Sequence, residues 1–442
     1  MVLLKAMLVL AGLHMMSAAG RLNVDIASHL KHLGTHRYPN EAQKGAREQA
    51  AEYIAKQFEE CGLRVDLQSL KGFAAPKPGD QLNYIPYKQD KSQVQGTNII
   101  GLSGPVRDEA GAVVVVGANY DTDGVGSPLW DNGAGVAVLL ETARLYQAAV
   151  VTPRLATLFV AFDLSTDRYG GKASSDGSDG GGGGGGGLPG AYSLVQDYLR
   201  SFVSQNTSTV GGAIVLGPLM NVNHETGSQG FDSRLTKLFP DAQEEVAARE
   251  YRGDFVALVS GGSEAGRTLA KGVMDSYREV GGRLVEFRLG NHSHTLLPPS
   301  LHAREAAYFW QSTFKGLKSP LPAILLTDTE TNRAWPRDAA TRTQLTEAQR
   351  EFLDTTVASL VRFLVQRQPV ESVEEWREVG LLTALMVSCG VNLLLLVHLH
   401  HLCSSPNAGR RHGDAHSPSE TLSLQDMKCT ASDDKSSFTV LS

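Results

Sequence analysis

Short apolar runs alternate along the chain with longer stretches whose apolar residues have helical spacing. The runs typical of strands are RVDLQSL, TNIIGLSG, AVVVVGANY, LATLFVAFD, GGAIVLGPLM, RLVEFRLG and PAILLTD. The helical stretches between and around them include AAEYIAKQFEECGL, GVAVLLETARLYQAA, AYSLVQDYLRSF, AGRTLAKGVMDSYREV and TEAQREFLDTTVASLVRFLVQ. This order predicts a single three-layer α/β domain, with helices on both faces of a mostly parallel central sheet.

The two ends of the chain carry apolar stretches of different kinds. Residues 1–20 combine one early lysine, an apolar centre and small residues before Gly20, the pattern of a cleavable signal peptide. Val379–Val397 contains 19 residues without a charge, enough for a helix to cross a hydrocarbon core of about 30 Å. An uncleaved anchor at the start and a buried core helix near the end are the alternatives.

These ends predict a single-pass membrane protein of the secretory pathway or plasma membrane. Its parts would be a signal peptide (1–20), a lumenal or extracellular domain (21–370), a transmembrane helix (379–402) and a disordered cytosolic tail (403–442). Residues 171–188 are mostly glycine and serine, which predicts a flexible insert in the domain.

Net charge and short sequence motifs indicate which kinds of partner and modification to expect. A net charge of −6 without a basic stretch argues against nucleic acid as a partner. Asn206 and Asn291 begin Asn-x-Ser/Thr patterns and are candidate glycosylation sites of a glycoprotein. The tripeptide 252–254 reads RGD, so an integrin ligand is a further hypothesis, although so short a motif often arises by chance.

Four stretches in one order resemble the di-zinc exopeptidases of metallopeptidase family 28. They are HLKHLGTHR with AAEYIAKQFEECGL, VVVVGANYDT, DNGAGVAVLLETARL, and LPAILLTDT. The family includes bacterial leucyl aminopeptidase and glutamate carboxypeptidase, and its inactive relatives include the transferrin receptor ectodomain. The resemblance spans roughly residues 30 to 363 and implies a zinc exopeptidase-like fold. In active members it also implies two zinc ions, a bridging aspartate, further His and carboxylate ligands, and a glutamate base.

The resemblance can be compared with this chain one position at a time. The implied His-x-Asp is Asn119-Tyr120-Asp121, which keeps the aspartate that would orient the ligand but has no histidine. Asp131 stands at the bridging position in DNGAG. Asp121 and Asp131 are therefore the vestigial metal-site candidates, and their alternative role is to cap the helix that begins near Asn132.

The other implied positions are changed. No glutamate occurs between Asp163 and Gly190, where the general base and a ligand would stand. Gly217 replaces an implied aspartate, and a turn with Trp335 and Pro336 replaces an implied histidine. The histidines at positions 292, 294 and 302 precede the last strand and would have to be recruited from other loops.

We therefore predict a membrane-anchored pseudoenzyme of the zinc exopeptidase family that acts as a binding or scaffolding protein. No catalytic residue and no cofactor are assigned. The alternative is an active metallo-exopeptidase, an amino- or carboxypeptidase, with a rearranged metal site, for which zinc would be the cofactor. The partner is expected to be a protein that the sequence does not identify, and a homodimer stays open.

Overall fold

The computed structural model describes the chain from residue 24 to residue 368, with gaps. The ranges are 24–39, 41–73, 93–105, 112–122, 127–150, 153–165, 190–206, 209–290, 304–312, 320–336 and 345–368. The predicted signal peptide, glycine-rich insert, transmembrane helix and tail lie outside these ranges. Within them, no helix is both long enough and apolar enough to cross a membrane.

The chain divides into two compact units, 1–372 and 373–442, and only the first contains described residues. Its described part is built on one sheet in the order β1-β2-β4-β3-β5-β8-β6-β7. The strands are β1 (Arg64–Phe73), β2 (Gln93–Ser103), β3 (Ala112–Asn119), β4 (Thr157–Phe162), β5 (Thr209–Leu216), β6 (Val256–Ser260), β7 (Leu284–Arg288) and β8 (Ala323–Thr327).

The four central strands, β4, β3, β5 and β8, are parallel. On either side of them the direction changes, since β2 is antiparallel to both β4 and β1, and β6, which is parallel to β7, is antiparallel to β8. The carboxyl ends of the central strands therefore share one edge of the sheet, the edge where α/β folds place their ligand sites.

Helices cover both faces of this sheet. Among the described residues they are α1 (Ile26–His32), α2 (Lys44–Glu60), α3 (Ala134–Ala149), α4 (Gly190–Ser193), α5 (Arg200–Asn206), α6 (Ser233–Leu238), α7 (Pro240–Ala247), α8 (Glu264–Glu279), α9 (Arg304–Gln311) and α10 (Glu347–Gln366). A π-helical segment, Leu194–Leu199, joins α4 to α5, and another π-helical turn, Leu129–Gly133, precedes α3.

Two apolar clusters, one on each face of the sheet, form the core. In β3, Val114 and Val116 belong to the cluster under α1, α2, α3, α8 and α10, whereas Val113 and Val115 belong to the other cluster. Successive side chains of a strand point to opposite faces, and a strand buried on both faces is apolar without alternation. The prediction of an α/β domain with one central sheet is thus confirmed.

Candidate functional site

Asn119 ends β3 at the position where the resemblance implies a zinc-binding histidine. Its Nδ2 donates to the backbone oxygen of Asp121 at 3.1 Å, and its Oδ1 accepts from Asn132 Nδ2 at 3.0 Å. Asn132 Nδ2 also donates to the backbone oxygen of Leu216, the last residue of β5, at 2.7 Å. Both polar ends of the Asn119 amide are therefore used inside the protein, where they tie β3 to its neighbours.

The start of α3 depends on Asn132. Asn132 Oδ1 accepts from the backbone N–H of Gly135 at 3.1 Å, which satisfies a donor in the first turn of the helix. A Cβ at Gly135 would collide with this amide, which explains the glycine in DNGAG. Asn132, whose peptide bond to Asp131 is cis, thus makes a capping bond at the start of this helix.

Asp121 lies completely buried beyond the end of β3. Its Oδ2 accepts from the backbone N–H of Ser165 at 3.0 Å, and its Oδ1 has no hydrogen-bond partner in the described part of the chain. Burial raises the pKa of Asp121 well above its usual range, and the nearby carboxylates of Asp163, Asp131 and Glu305 raise it further. The carboxyl edge thus gathers four carboxyl groups, one of which, Glu305 on α9, the sequence comparison did not assign.

Asp163 follows β4, and its carboxylate oxygens contact several hydrogen-bond donors and one arginine. It accepts hydrogen bonds from Thr97 N at 2.9 Å, Tyr120 Oη at 2.8 Å and Leu164 N at 2.9 Å. Arg47 Nε lies 3.8 Å from Asp163 Oδ2, and both side chains are buried. Burial raises the pKa of Asp163, although Arg47 and the hydrogen bonds oppose the rise. With its oxygens engaged in this way, Asp163 is a structural group of the sheet edge.

Arg37 places a second buried guanidinium beside the two retained aspartates. It donates to the backbone oxygens of four residues, namely Leu33, Thr35 at 2.7 Å, Tyr120 at 2.5 Å and Pro128 at 3.2 Å. Burial lowers its pKa to about 10, and the charges of Asp131 and Asp121 oppose this effect. Arg37 thus joins the loops after β3 and before α3 and partly neutralises the retained aspartates.

Two tryptophans stand at the same edge. Trp130 Nε1 donates to Asp328 Oδ2 at 2.9 Å, and the buried Asp328 also accepts from Asn221 N at 2.6 Å and Glu330 N at 2.9 Å. Trp130 meets Trp335 edge to face, with ring centroids 5.7 Å apart. Trp335 belongs to the turn in which the resemblance implies a histidine, so an indole ring stands in the turn that would otherwise supply a metal ligand.

These residues do not fit a di-zinc centre. Both polar ends of the Asn119 amide are hydrogen-bonded to other protein atoms. Gly217, which follows β5, has no side chain that could bind a metal ion. Across the described ranges, no three His, Cys, Asp or Glu side chains are arranged to hold a metal ion. Zinc affinity comes from several fixed ligands acting together. The structure brings Asp121 and Asp131 within electrostatic range of each other, but the described residues supply no such set around them.

The remaining sequence candidates lie elsewhere. Asn206 is the last residue of α5, and its side chain is not described; Asn291 and the histidines at 292, 294 and 302 fall outside the described residues. In the RGD tripeptide, the Asp254 carboxylate accepts from Arg249 at 2.6 Å and from Arg283, and its side chain is 9% exposed. The carboxylate that an integrin would need is thus engaged inside the domain.

A second polar feature lies between α1, α2 and α3. A cavity of about 490 Å³ is lined by Asp25, His29, His32, Tyr53, Glu141 and Arg144, among others. His29 lies between two partners, with Nδ1 2.7 Å from Tyr53 Oη and Nε2 3.0 Å from Glu141 Oε1. Every polar atom of this His29 ring and of the Glu141 carboxylate is paired, so the cluster fastens α1 to α3.

The model of peptidase family M28 matches residues 98–164, the segment that contains Asn119, Asp121, Asp131 and Asp163. A comparison with curated protein sequences finds no significant match.

Several solved structures are similar to this chain. An aminopeptidase from Aneurinibacillus sp. strain AM-1 has 14% identity and a TM-score of 0.47, with 81% of this chain and 97% of that chain covered. LapB from Legionella pneumophila has 14% identity and a TM-score of 0.47, with 81% and 75% covered. Tannerella forsythia glutaminyl cyclase has 17% identity and a TM-score of 0.42, with 77% and 95% covered. The resemblance to the zinc exopeptidase family is confirmed by the M28 match, which covers the strand ends that carry the retained aspartates.

Proposed function

We propose that this protein is a catalytically inactive homologue of the M28 exopeptidases that acts by binding. The observation that carries the proposal is the Asn119 amide, which donates to the Asp121 backbone and accepts from Asn132. A side chain committed to two protein partners is not available to a metal ion. Asparagine is also a weak zinc ligand in comparison with imidazole.

The proton chemistry of a peptidase also lacks support at this edge. Ser165 stands near the position implied for the general base, and its backbone N–H donates to Asp121. A serine hydroxyl is not a proton acceptor at neutral pH, whereas a general base needs a pKa near the working pH. Asp163 is close by, but three hydrogen bonds and Arg47 hold its oxygens.

Glu305 favours a second candidate, an active hydrolase with a rearranged site. Its side chain is buried at the start of α9, and its charge acts on Asp121. A carboxylate in this place could stand in for the absent glutamate, with Asp131 as a metal ligand. Under this alternative zinc would be bound and would supply Lewis acidity and an activated water.

Zinc content and turnover decide between the two candidates. The full-length protein is purified in detergent, its zinc is measured by elemental analysis, and fluorogenic amino- and carboxypeptidase substrates are tested. We expect far less than one zinc ion per chain and no turnover above that of a blank. Two zinc ions per chain, with turnover lost in Asp131→Asn and Glu305→Gln but kept in Asp275→Asn, would establish the hydrolase. Asp275 is a matched control because it is an exposed carboxylate on α8.

The proposal includes the placement predicted from the sequence. The domain is lumenal or extracellular, with glycans at Asn206 and Asn291, and residues 379–402 anchor it in the membrane. The tail from 403 to 442 lies in the cytosol. In such a protein the exopeptidase-like domain presents a binding surface to a protein partner, or to a second copy of the chain.

A further inference from the structure

β7 forms one edge of the sheet. It is the last strand in the sheet order, and among the described residues it pairs only with β6. Val256 N donates to Arg283 O at 3.0 Å, and Leu289 N donates to Ser260 O at 3.1 Å, so the odd-numbered residues of the segment 283–289 face β6. Successive residues of a strand turn their N–H and C=O groups to opposite sides. The even-numbered residues of β7 therefore turn theirs away from the sheet.

The outward-facing backbone groups are those of Leu284, Glu286 and Arg288. The described part of the chain provides no hydrogen-bond partner for them. Unpaired N–H and C=O groups at the edge of a sheet are a template for a further strand. Peptides bind to such edges by β-augmentation, in which main-chain hydrogen bonds give affinity and side-chain pockets give specificity.

A groove that includes this edge lies between α7 and α8. Its cavity of about 160 Å³ is lined by Phe239, which directly precedes α7, by Met274 on α8, and by further residues of α7 and β7. Phe239 is buried and Met274 is half-buried, so they form the apolar part of the lining. The flexible thioether of a methionine adapts to different side chains. The edge thus offers backbone partners together with a pocket for an apolar side chain.

The polar part of the lining is negatively charged. Asp241 and Glu245 on α7 are exposed, and on β7 Arg288 Nη2 lies 2.6 Å from Glu286 Oε2. These three carboxylates against one guanidinium group leave a balance of −2. Such a surface attracts a positively charged partner. Two copies of this chain joined at β7 would instead bring two negative grooves together, which like charges disfavour.

We infer that β7 binds an extended basic segment of another protein as an additional strand of the sheet. The backbone of the segment pairs with the outward groups of β7, an apolar side chain contacts Phe239 and Met274, and basic side chains lie near Asp241 and Glu245. The inference goes beyond the proposed function, because β7 lies four strands away from β3 in the sheet order. Zinc content, which decides the proposed function, does not bear on it.

Calorimetric titration of the full-length protein in detergent tests the inference. The probe is an end-blocked heptapeptide of alternating lysine and valine. It is compared with its glutamate–valine analogue and with the same lysine–valine peptide methylated at every backbone nitrogen. We expect the probe to bind and each of the other two peptides to bind at least about tenfold more weakly. Absence of binding, or equal binding of either analogue, would overturn the inference.

Position 288 separates the contribution of the backbone from that of the side chain. Arg288→Pro removes an outward N–H group that β6 does not use, whereas Arg288→Ala removes the same side chain and keeps the N–H group. We expect Arg288→Pro to bind the lysine–valine peptide roughly 3- to 10-fold more weakly than Arg288→Ala. Equal binding by the two variants would show that β7 does not pair with the peptide.

A double substitution tests the charge of the groove. Asp241→Asn combined with Glu245→Gln should weaken binding of the lysine–valine peptide roughly 3- to 10-fold. The control combines Glu48→Gln with Glu52→Gln, an equal change of charge at exposed positions of α2, and should leave binding unchanged. Equal effects of the two double substitutions would contradict the inference.

Hydrogen exchange followed by mass spectrometry locates the bound peptide. Exchange in the segment 283–290 should slow when the lysine–valine peptide is added, because amides at the edge become hydrogen-bonded. Slower exchange in β1, the opposite edge of the sheet, without a change in β7 would overturn the inference. Protection of β7 in the absence of peptide, in a protein that sediments as a dimer, would identify a second copy as the occupant and would overturn it as well.

Discussion

Replacing Glu141 by glutamine should destabilise the protein at neutral pH and remove part of its sensitivity to acid. The Glu141 carboxylate is buried on α3 and accepts from Arg144 Nη2 at 2.7 Å, His29 Nε2 at 3.0 Å and Asp25 N at 3.0 Å. Burial alone would raise the pKa of Glu141. The hydrogen bonds from Arg144, His29 and Asp25 outweigh burial and lower its pKa to about 2.

The size of the effect follows from this pKa. A fall from 4.5 to about 2, at about 1.4 kcal/mol for each pKa unit, corresponds to about 3 kcal/mol. The Arg144 side chain is 40% exposed, so water screens part of its attraction and we expect about 2 kcal/mol. Because the pKa is lower in the folded state, this stability is complete above the unfolded-state pKa of about 4.5 and is lost as the pH falls towards about 2.

Urea denaturation followed by circular dichroism measures this difference. Wild-type protein, Glu141→Gln and the control Glu244→Gln, an exposed position on α7, are compared from about pH 7 to about pH 3. The free energy of unfolding of Glu141→Gln should lie about 2 kcal/mol below wild type near pH 7, with a gap that narrows below about pH 4.5. A gap that is absent at neutral pH, or that stays constant down to about pH 3, would refute the reasoning. Glu244→Gln should follow wild type throughout.

Two further substitutions test the sheet edge, both by thermal denaturation. Asp163→Ala leaves Arg47 and three hydrogen-bond donors without a partner inside the protein, so it should cost about 3–5 kcal/mol. The exposed control Asp275→Ala should lower stability far less. Equal losses would contradict the structural role of Asp163. Gly190→Ala would push a Cβ into the backbone of Asp163 and should lower the melting temperature. In the control Gly45→Ala on α2, the new Cβ meets no atom within 4 Å, so this change should raise the melting temperature slightly. An unchanged melting temperature in Gly190→Ala would show that α4 can move away from Asp163.

The sheet was largely predictable because its central strands are buried on both faces. The run AVVVV predicted β3 because a strand covered on both sides needs apolar residues at every position. The last helix was equally clear, since Thr346 and Gln349 form a capping box at the start of α10. In both cases local sequence and tertiary environment agree.

Short elements in the second half escaped the sequence pattern. β6, with only five residues, pairs antiparallel to β8, and α9, with eight residues, begins at Arg304. A short apolar run can be a strand or part of a helix, and periodicity alone does not decide between them. Glu305 was missed for the same reason, because its approach to Asp121 depends on where α9 packs and not on any local motif.

Retention of aspartates where the family resemblance implies a metal site does not by itself argue for a metal. Asp163 is kept by Arg47 and three donors, and its loss would leave a buried charge and unmade hydrogen bonds. Asn119, which replaces the implied histidine, also serves the fold. Its amide offers a donor and an acceptor and so joins Asp121 to Asn132 directly. Asp131 is half-buried, and its charge acts on Asp121. Selection for folding can therefore maintain Asp163 and Asn119 without any metal ion.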